Sequence, residues 1–250
     1  MLLAGGFLYY DMLLSVIMPL YNEESTVSEI VRKILDLPID LELIIVNNAS
    51  TDRTGELIAS FAERDNVRII RRDKNIGKGD AVVTALPLAG GKYTVIQDGD
   101  LEYDPDDITR MLELAEQKGV PVVFGSRILG RSSGISYYRY LWGGKLLTFL
   151  ANLLHGVGIT DESTCYKMVR TDILRRLNLQ SKRFEFCPEL VAKLGRNGIR
   201  IHEIPIRYLP RKFEEGKKIR WRDGAEAIWV LFKYRFKPRA DFTVEENHKK

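Results

Sequence analysis

Asp98, Asp100 and Glu102 sit two residues apart at the end of an apolar run, Tyr93-Thr-Val-Ile96, with Gly99 between the two aspartates. Carboxylates at that spacing on a turn can aim at one hard cation, and the glycine lets a ligand come close to the backbone. An Asp-x-Asp tripeptide alone is a common solvated turn. Here it is one of several polar strand exits. Tyr21-Asn22-Glu23-Glu24 follows the run Leu13 to Met18 and Pro19. Asn47 to Asp52 follows Leu41 to Val46, and Gly125-Ser126-Arg127 follows Val120 to Phe124.

Those exits need elements to hold them. Apolar runs at Leu13 to Met18, Leu41 to Val46, Val67 to Ile70, around Tyr93 to Ile96 and at Val120 to Phe124 read as buried strands. Helical patterns separate them: Ile30, Val31, Ile34 and Leu35 behind a Ser25 or Thr26 cap; Leu57, Ile58 and Phe61; a segment interrupted by Pro87; and Ile108 to Ala115 behind an acidic first turn. Strand and helix in alternation predict an α/β fold with a mostly parallel central sheet flanked by helices. Such sheets bind ligands at the carboxyl ends of their strands, where the polar exits collect. Further on, Cys165 to Val169 reads as an edge strand and Thr171 as the cap of a short helix. Glu185 to Leu194 reads as a helix before Gly195, Ile199 to Tyr208 as a strand, and Tyr137 to His155 and Trp221 to Phe236 as helices.

With 250 residues, 45% of them hydrophobic, the chain suffices for one α/β domain with a C-terminal extension. The expected division is an N-terminal extension at 1–12, a main domain at 13–212, an amphipathic extension at 213–240 and a frayed tail at 241–250. Two cysteines without a Cys-x-x-Cys pair argue against a disulfide framework or structural zinc and fit a reducing cytosol. The opening residues lack the basic region and cleavage site of a signal peptide, Met12 is a second candidate start, and no stretch approaches the ~20 apolar residues of a membrane-spanning helix. Net charge is +4, but 11 basic against 4 acidic residues lie between Arg207 and Arg239, a local +7. Gly125 to Thr160 contains no acid while Arg127, Arg131, Arg139 and Lys145 are interspersed with Tyr137, Tyr138, Tyr140, Trp142 and Phe149. Those two helices have the composition of elements that lie on an anionic membrane surface. No nucleic-acid partner is expected. Cys165, with no base beside it in sequence, reads as packing rather than a nucleophile, and His155, His202 and His248 lack metal-ligand spacing.

Ser15-Val-Ile-Met-Pro-Leu-Tyr-Asn-Glu23, the Asn47 to Thr54 loop, Asp98-Gly99-Asp100 and Gly125-Ser126-Arg127, in that order, resemble the family two glycosyltransferases with the GT-A fold. The resemblance spans roughly Leu13 to Tyr234 and is nearest to dolichyl-phosphate mannose synthases and other polyprenyl-phosphate sugar transferases. It implies a nucleotide-sugar donor of the GDP-mannose or UDP-glucose type, bound by Pro19, Tyr21, Glu23, Val46, Asn48, Asp98, Gly99, Asp100 and Lys218. Mg2+ or Mn2+ would be held by Asp98, Asp100 and Glu102. Arg127, Arg139 and Arg211 would act with the two aspartates in catalysis, near the phosphate of a polyprenyl acceptor at the cytosolic face of a membrane. Asn47-Asn48 stands where relatives often carry Asp-Asp, Glu102 where the synthases often carry glutamine, and Cys165 where glycine is usual. Two rivals stay open. Transfer to a sugar hydroxyl would need a carboxylate base, for which Glu185 and Glu189 are candidates; the other is a non-catalytic nucleotide-sugar or membrane-surface binding module.

Overall fold

Apolar runs separated by helices assemble one seven-stranded sheet in the computed structural model of the protein, which describes residues 2–4, 7–9, 12–130, 138–210 and 221–237. At 2–4, 7–9, 138–141 and 221 it describes the backbone alone. Strands β1 (Leu2–Ala4) and β2 (Phe7–Tyr9) form a separate antiparallel pair. The main sheet comprises β3 (Leu14–Leu20), β4 (Leu41–Asn47), β5 (Val67–Arg71), β6 (Tyr93–Ile96), β7 (Val122–Ser126), β8 (Lys167–Arg170) and β9 (His202–Pro205), in the order β5-β4-β3-β6-β8-β7-β9.

Strands β5, β4, β3 and β6 pair in parallel, the first three ending in register and β6 stopping at Ile96 beside Ile17, so their carboxyl ends point to one edge. Every residue of β4 is buried, which is why that run lacks the alternation of a strand with one wet face. Pro19 lies inside β3, one residue beyond the sequence reading. The carbonyl of Ile17 accepts from the Gln97 N–H, so Pro19, two residues on, faces the side where the β6 ladder has ended. Its missing donor leaves no gap there.

The expected edge strand at Cys165 to Val169 is corrected. Strand β8 lies between β6 and β7, antiparallel to both. Within it the Lys167 ammonium is buried and donates to the carbonyls of Glu162 and Thr164, and it sits 5.1 Å from the centre of the Phe124 ring. Strands β6 and β7 are therefore not neighbours, and the sheet edges are β5 and β9.

Helix α1 (Val27–Leu35) buries Val27, Ile30, Val31 and Ile34. Short α2 (Thr54–Ala59) packs on it, and α3 (Lys78–Ala85) lies against β3 and β4, continuing into a 3-10 turn at Leu86–Leu88 where Pro87 ends the α-helical ladder. Helix α4 (Asp106–Lys118) stops at Gly119, whose φ of 61° is a left-handed cap. Helices α5 (Tyr138–His155), α7 (Phe186–Arg196) and α8 (Trp221–Phe236) pack on one another, and α6 (Thr171–Arg176) lies on β8. Three local readings change. Thr171 begins α6 without capping it, because its hydroxyl donates to the Gly91 carbonyl. Gly195 lies inside α7, where an added Cβ would press on Val157 and His155. The strand expected from Ile199 to Tyr208 is confined to β9. The tail at 241–250 lies outside the described residues.

Candidate active site

The turn after β6 is built around a close approach. A Cβ on Gly99 would press on the Leu20 side chain at the end of β3, which would have to shift to make room. Thr26, at the N-cap position of α1, donates its hydroxyl to the Gly99 carbonyl at 2.8 Å, joining the first strand exit to the acidic turn. Asp100 Oδ1 accepts the Glu102 N–H at 3.2 Å. Glu102 Oε2 accepts the Tyr208 hydroxyl at 2.9 Å.

Asp98 faces a cation. Lys78 Nζ lies 2.5 Å from Asp98 Oδ1 and 3.1 Å from Cys165 Sγ, and its side chain is only 16% exposed. Burial alone would draw the ammonium's pKa down, but Asp98, with the Cys165 and Cys187 sulfurs, leaves it well above the ordinary lysine value. Burial pushes the Cys165 thiol well up, with Asp98 adding to it, as a packing cysteine requires.

The first two strand exits are stitched together. Asn22, at φ 53°, accepts the Thr51 N–H on Oδ1 at 2.8 Å, and its own N–H donates to Ser50 Oγ. The Glu23 N–H donates to Thr54 Oγ1, the Glu24 N–H to Asp52 Oδ2, and the Arg53 N–H to Glu24 Oε2. Ala49 takes a left-handed φ of 58° between them. Asn47 Oδ1 accepts the Ser50 N–H. Asn48 is buried; its Nδ2 donates to Asn75 Oδ1 at 2.8 Å and to the Gly77 carbonyl at 3.2 Å, while its Oδ1 is enclosed and has no partner. Pro19 and Val46 are paired one residue before their strands end, Val46 wholly buried. Pro19, Tyr21, Glu23, Val46, Asn48, Asp98, Gly99 and Asp100 thus share one sheet edge.

Arg127, just after β7, is fixed by an ion pair. Its Nε and Nη2 donate to the two oxygens of Asp161, each at 2.7 Å, and its guanidinium lies 5.1 Å from the centre of the Tyr208 ring. Burial would raise the Asp161 carboxyl, but Arg127 brings it below its ordinary value. Of the other expected basic residues, Arg139 falls in the first turn of α5, where the backbone alone is described, and Arg131, Arg211 and Lys218 lie outside the described residues. Glu189 is corrected as a candidate base. Its buried carboxylate already accepts the Gln180 and Ser181 N–H groups and the Tyr234 hydroxyl and pairs with Lys193, and despite burial those contacts set its pKa below the ordinary value. Glu185 Oε1 accepts two backbone N–H groups.

Among the described residues no three His, Cys, Asp or Glu side chains gather closely enough to hold a metal by themselves. The hard oxygens of Asp98 and Asp100 fit a divalent ion whose remaining ligands are phosphate oxygens and water. Lys78, Asn75 and Asp161 escaped the sequence reading. Lys78 stood between two glycines just after β5, and Asp161 ended the long acid-free stretch, which were the available signals.

Helix α5 presents Trp142, Leu146, Phe149 and Leu153, four positions on one helical face and 50% to 68% exposed. Neighbouring α8 presents Trp229, Phe232 and Phe236 at the same kind of spacing. Among the described residues no helix is long and apolar enough to cross a membrane.

Residues 15–177 match the model for Glycosyl transferase family 2. The chain is 28% identical over 207 residues to the low-salt glycan biosynthesis hexosyltransferase Agl6 of Haloferax volcanii, covering 80% of this chain and 49% of that protein. It is 28% identical over 239 residues to dodecaprenyl-phosphate galacturonate synthase of Rhizobium johnstonii, covering 90% and 68%. To undecaprenyl-phosphate 4-deoxy-4-formamido-L-arabinose transferase of Pseudomonas aeruginosa it is 29% identical over 211 residues, covering 82% and 60%. The chain therefore spans about half to two thirds of the length of these relatives. Glucosyl-3-phosphoglycerate synthase from Mycobacterium tuberculosis, crystallised with Mn2+, UDP and glucosyl-3-phosphoglycerate, superposes with a TM-score of 0.69 at 19% identity, covering 92% of this chain and 82% of that one. At that identity the likeness speaks for the fold, the GT-A architecture that the family resemblance implied. With more than half of its residues matched by the family model, the chain belongs to glycosyl transferase family 2.

Proposed function

We propose that this chain is a metal-dependent, inverting glycosyltransferase that moves a hexose, mannose or glucose, from a nucleotide-diphosphate sugar to a polyprenyl phosphate, acting peripherally at the cytosolic face of a membrane. The observation that carries this reading is the pairing, in one molecule, of an Asp-Gly-Asp turn at the strand ends with exposed apolar faces on α5 and α8. The names of two relatives, a dodecaprenyl-phosphate and an undecaprenyl-phosphate transferase, point the same way.

Asp98 and Asp100, with Glu102 beside them, would hold Mg2+ or Mn2+, as the Mn2+ in the crystal of the structural neighbour suggests. Such an ion, when bound, neutralises the diphosphate as it leaves the sugar. Pro19, Tyr21, Glu23, Val46 and Asn48 would seat the nucleoside, and Lys218 would join them on the donor. An acceptor phosphate is anionic at neutral pH and needs no general base, which suits a site in which Glu189 is fully engaged. Arg139 and Arg211 would meet that phosphate, since guanidinium groups match its geometry and keep their charge. Arg127, fastened to Asp161, would bring a positioned rather than a mobile charge.

The test mixes purified protein with GDP-mannose or UDP-glucose and undecaprenyl or dolichyl phosphate in liposomes. Lipid-linked sugar and free nucleoside diphosphate should form together and stop in excess chelator. Asp100→Asn should lower turnover roughly a hundredfold or more while melting as the parent does. Chelator-insensitive transfer, or equal transfer to a water-soluble sugar, would overturn the reading.

A further inference from the structure

We infer that Lys78 is a resident counter-cation of the donor site, which keeps a divalent ion from settling on Asp98 until a diphosphate arrives. The inference rests on the donor-site reading above and adds a residue and an order of binding to it. The observation behind it is the 2.5 Å contact between Lys78 Nζ and Asp98 Oδ1, the first carboxylate of the Asp-Gly-Asp turn.

The ammonium is well anchored. Lys78 opens α3 between Gly77 and Gly79, each of which approaches the 181–183 backbone too closely for any Cβ. The Gly79 and Asp80 N–H groups donate to the carbonyls of Arg183 and Lys182. These bonds take up N–H groups at the start of the helix, so it is the ammonium, not the helix end, that faces the acidic turn. Cys165 Sγ, 3.1 Å away, closes another side of it.

A divalent ion entering the bare site takes either the oxygen that Lys78 holds or the one beside it. In both cases two positive charges join a third against the two carboxylates Asp98 and Asp100, and like charges in a site screened from water repel strongly. A nucleoside diphosphate reverses the balance. Its oxygens supply the missing negative charge, complete the metal's ligands and give the ammonium a new partner. Metal and nucleotide should therefore each bind better in the presence of the other, by the same factor, as linkage requires.

Mn2+ binding to the full chain, read by electron paramagnetic resonance of the free ion, tests this without any turnover. In the wild-type protein, saturating UDP or GDP, in separate arms, should tighten Mn2+ tenfold or more. In Lys78→Met the nucleotide-free protein should bind Mn2+ tenfold or more tightly than wild type, while the nucleotide should bind at least tenfold more weakly in the presence of Mn2+. Opposite shifts distinguish a counter-cation from a residue that merely supports the fold, whose loss weakens both. Mn2+ binding that ignores nucleotide in the wild type, or an unchanged or weaker Mn2+ affinity in a folded Lys78→Met, overturns the inference and leaves the donor-site reading intact. Failure of Mn2+ to bind with either nucleotide overturns both. Should Lys78→Met fail to fold, Lys78→Gln is read by the same two opposite shifts.

Discussion

Asn48 carries an unmet hydrogen-bond acceptor at the sheet edge. Its Nδ2 is committed to Asn75 Oδ1 and the Gly77 carbonyl, which leaves its oxygen buried and unpartnered. A buried acceptor left without a donor costs about 1–3 kcal/mol, recovered when a ligand N–H reaches it. Asn48→Asp would set a carboxylate against two acceptors. The variant is expected to lose about 1 kcal/mol of stability and to reorder the affinities for guanosine, uridine and thymidine diphosphates; a thermal-shift panel with the same ranking as wild type would refute this. Glu162 makes a second prediction. It is buried, its Oε1 has no partner, and burial holds its carboxyl above the ordinary value despite the nearby Lys167. The native state then binds the proton more tightly than the unfolded chain, so stability falls as pH rises from the ordinary carboxylate range through the raised value. Glu162→Gln should melt higher than wild type at pH 8, and the difference should close in acid; a gap that is constant with pH would exclude this cause.

At the scale of elements, the entry to α3 carries the sharpest constraint. Gly77 has a φ of 140°, and a Cβ there would lie 2.5 Å from the Lys182 carbonyl oxygen. Gly77→Ala should therefore cost about 1–3 kcal/mol in urea unfolding and, by displacing Lys78, depress nucleotide binding further than the stability loss explains. The strands themselves were legible in the sequence. Leu13 to Met18 and Val120 to Phe124 were each read within two residues of the observed bounds, because an apolar run between turn residues reports burial directly. The start and end of α8 were read at Trp221 and Phe236 as observed. What escaped was pairing between distant segments. Lys78 meets Asp98 across 20 residues and Arg127 meets Asp161 across 34, and no local periodicity records either. Strand β8 was misplaced for the same reason: its place inside the sheet rests on pairing with Tyr93-Thr94 and with Val122 to Phe124, both distant in sequence. Asn47-Asn48 was noticed at once, but the direction of the Asn48 amide depends on Asn75, which nothing nearby in sequence points to.

For the whole molecule, the exposed faces of α5 and α8 and the basic segment after β9 predict reversible membrane attachment. Each lysine or arginine near an anionic bilayer contributes ~1 kcal/mol, so several together suffice, and salt should release the protein. Phe149→Ser and Trp229→Ser together should weaken binding to anionic liposomes roughly tenfold, as two buried aromatic side chains are worth that or more, with little change in melting temperature, since both side chains are mostly exposed in the free protein. Sedimentation that is unaffected by the substitutions, or by ionic strength, would count against it. The insertion of β8 between β6 and β7 bears on how the chain comes to be made. Strands β3 to β6 follow one another along the chain and can zip up as they leave the ribosome, but β7 must then wait beside an unfilled slot for a strand some 40 residues further on. Until Lys167 to Arg170 emerge, two open strand edges face each other across that slot, each ready to pair with another nascent chain. A stalled or truncated product ending before Lys167 should therefore aggregate, whereas one reaching beyond Arg170 has its sheet closed from within.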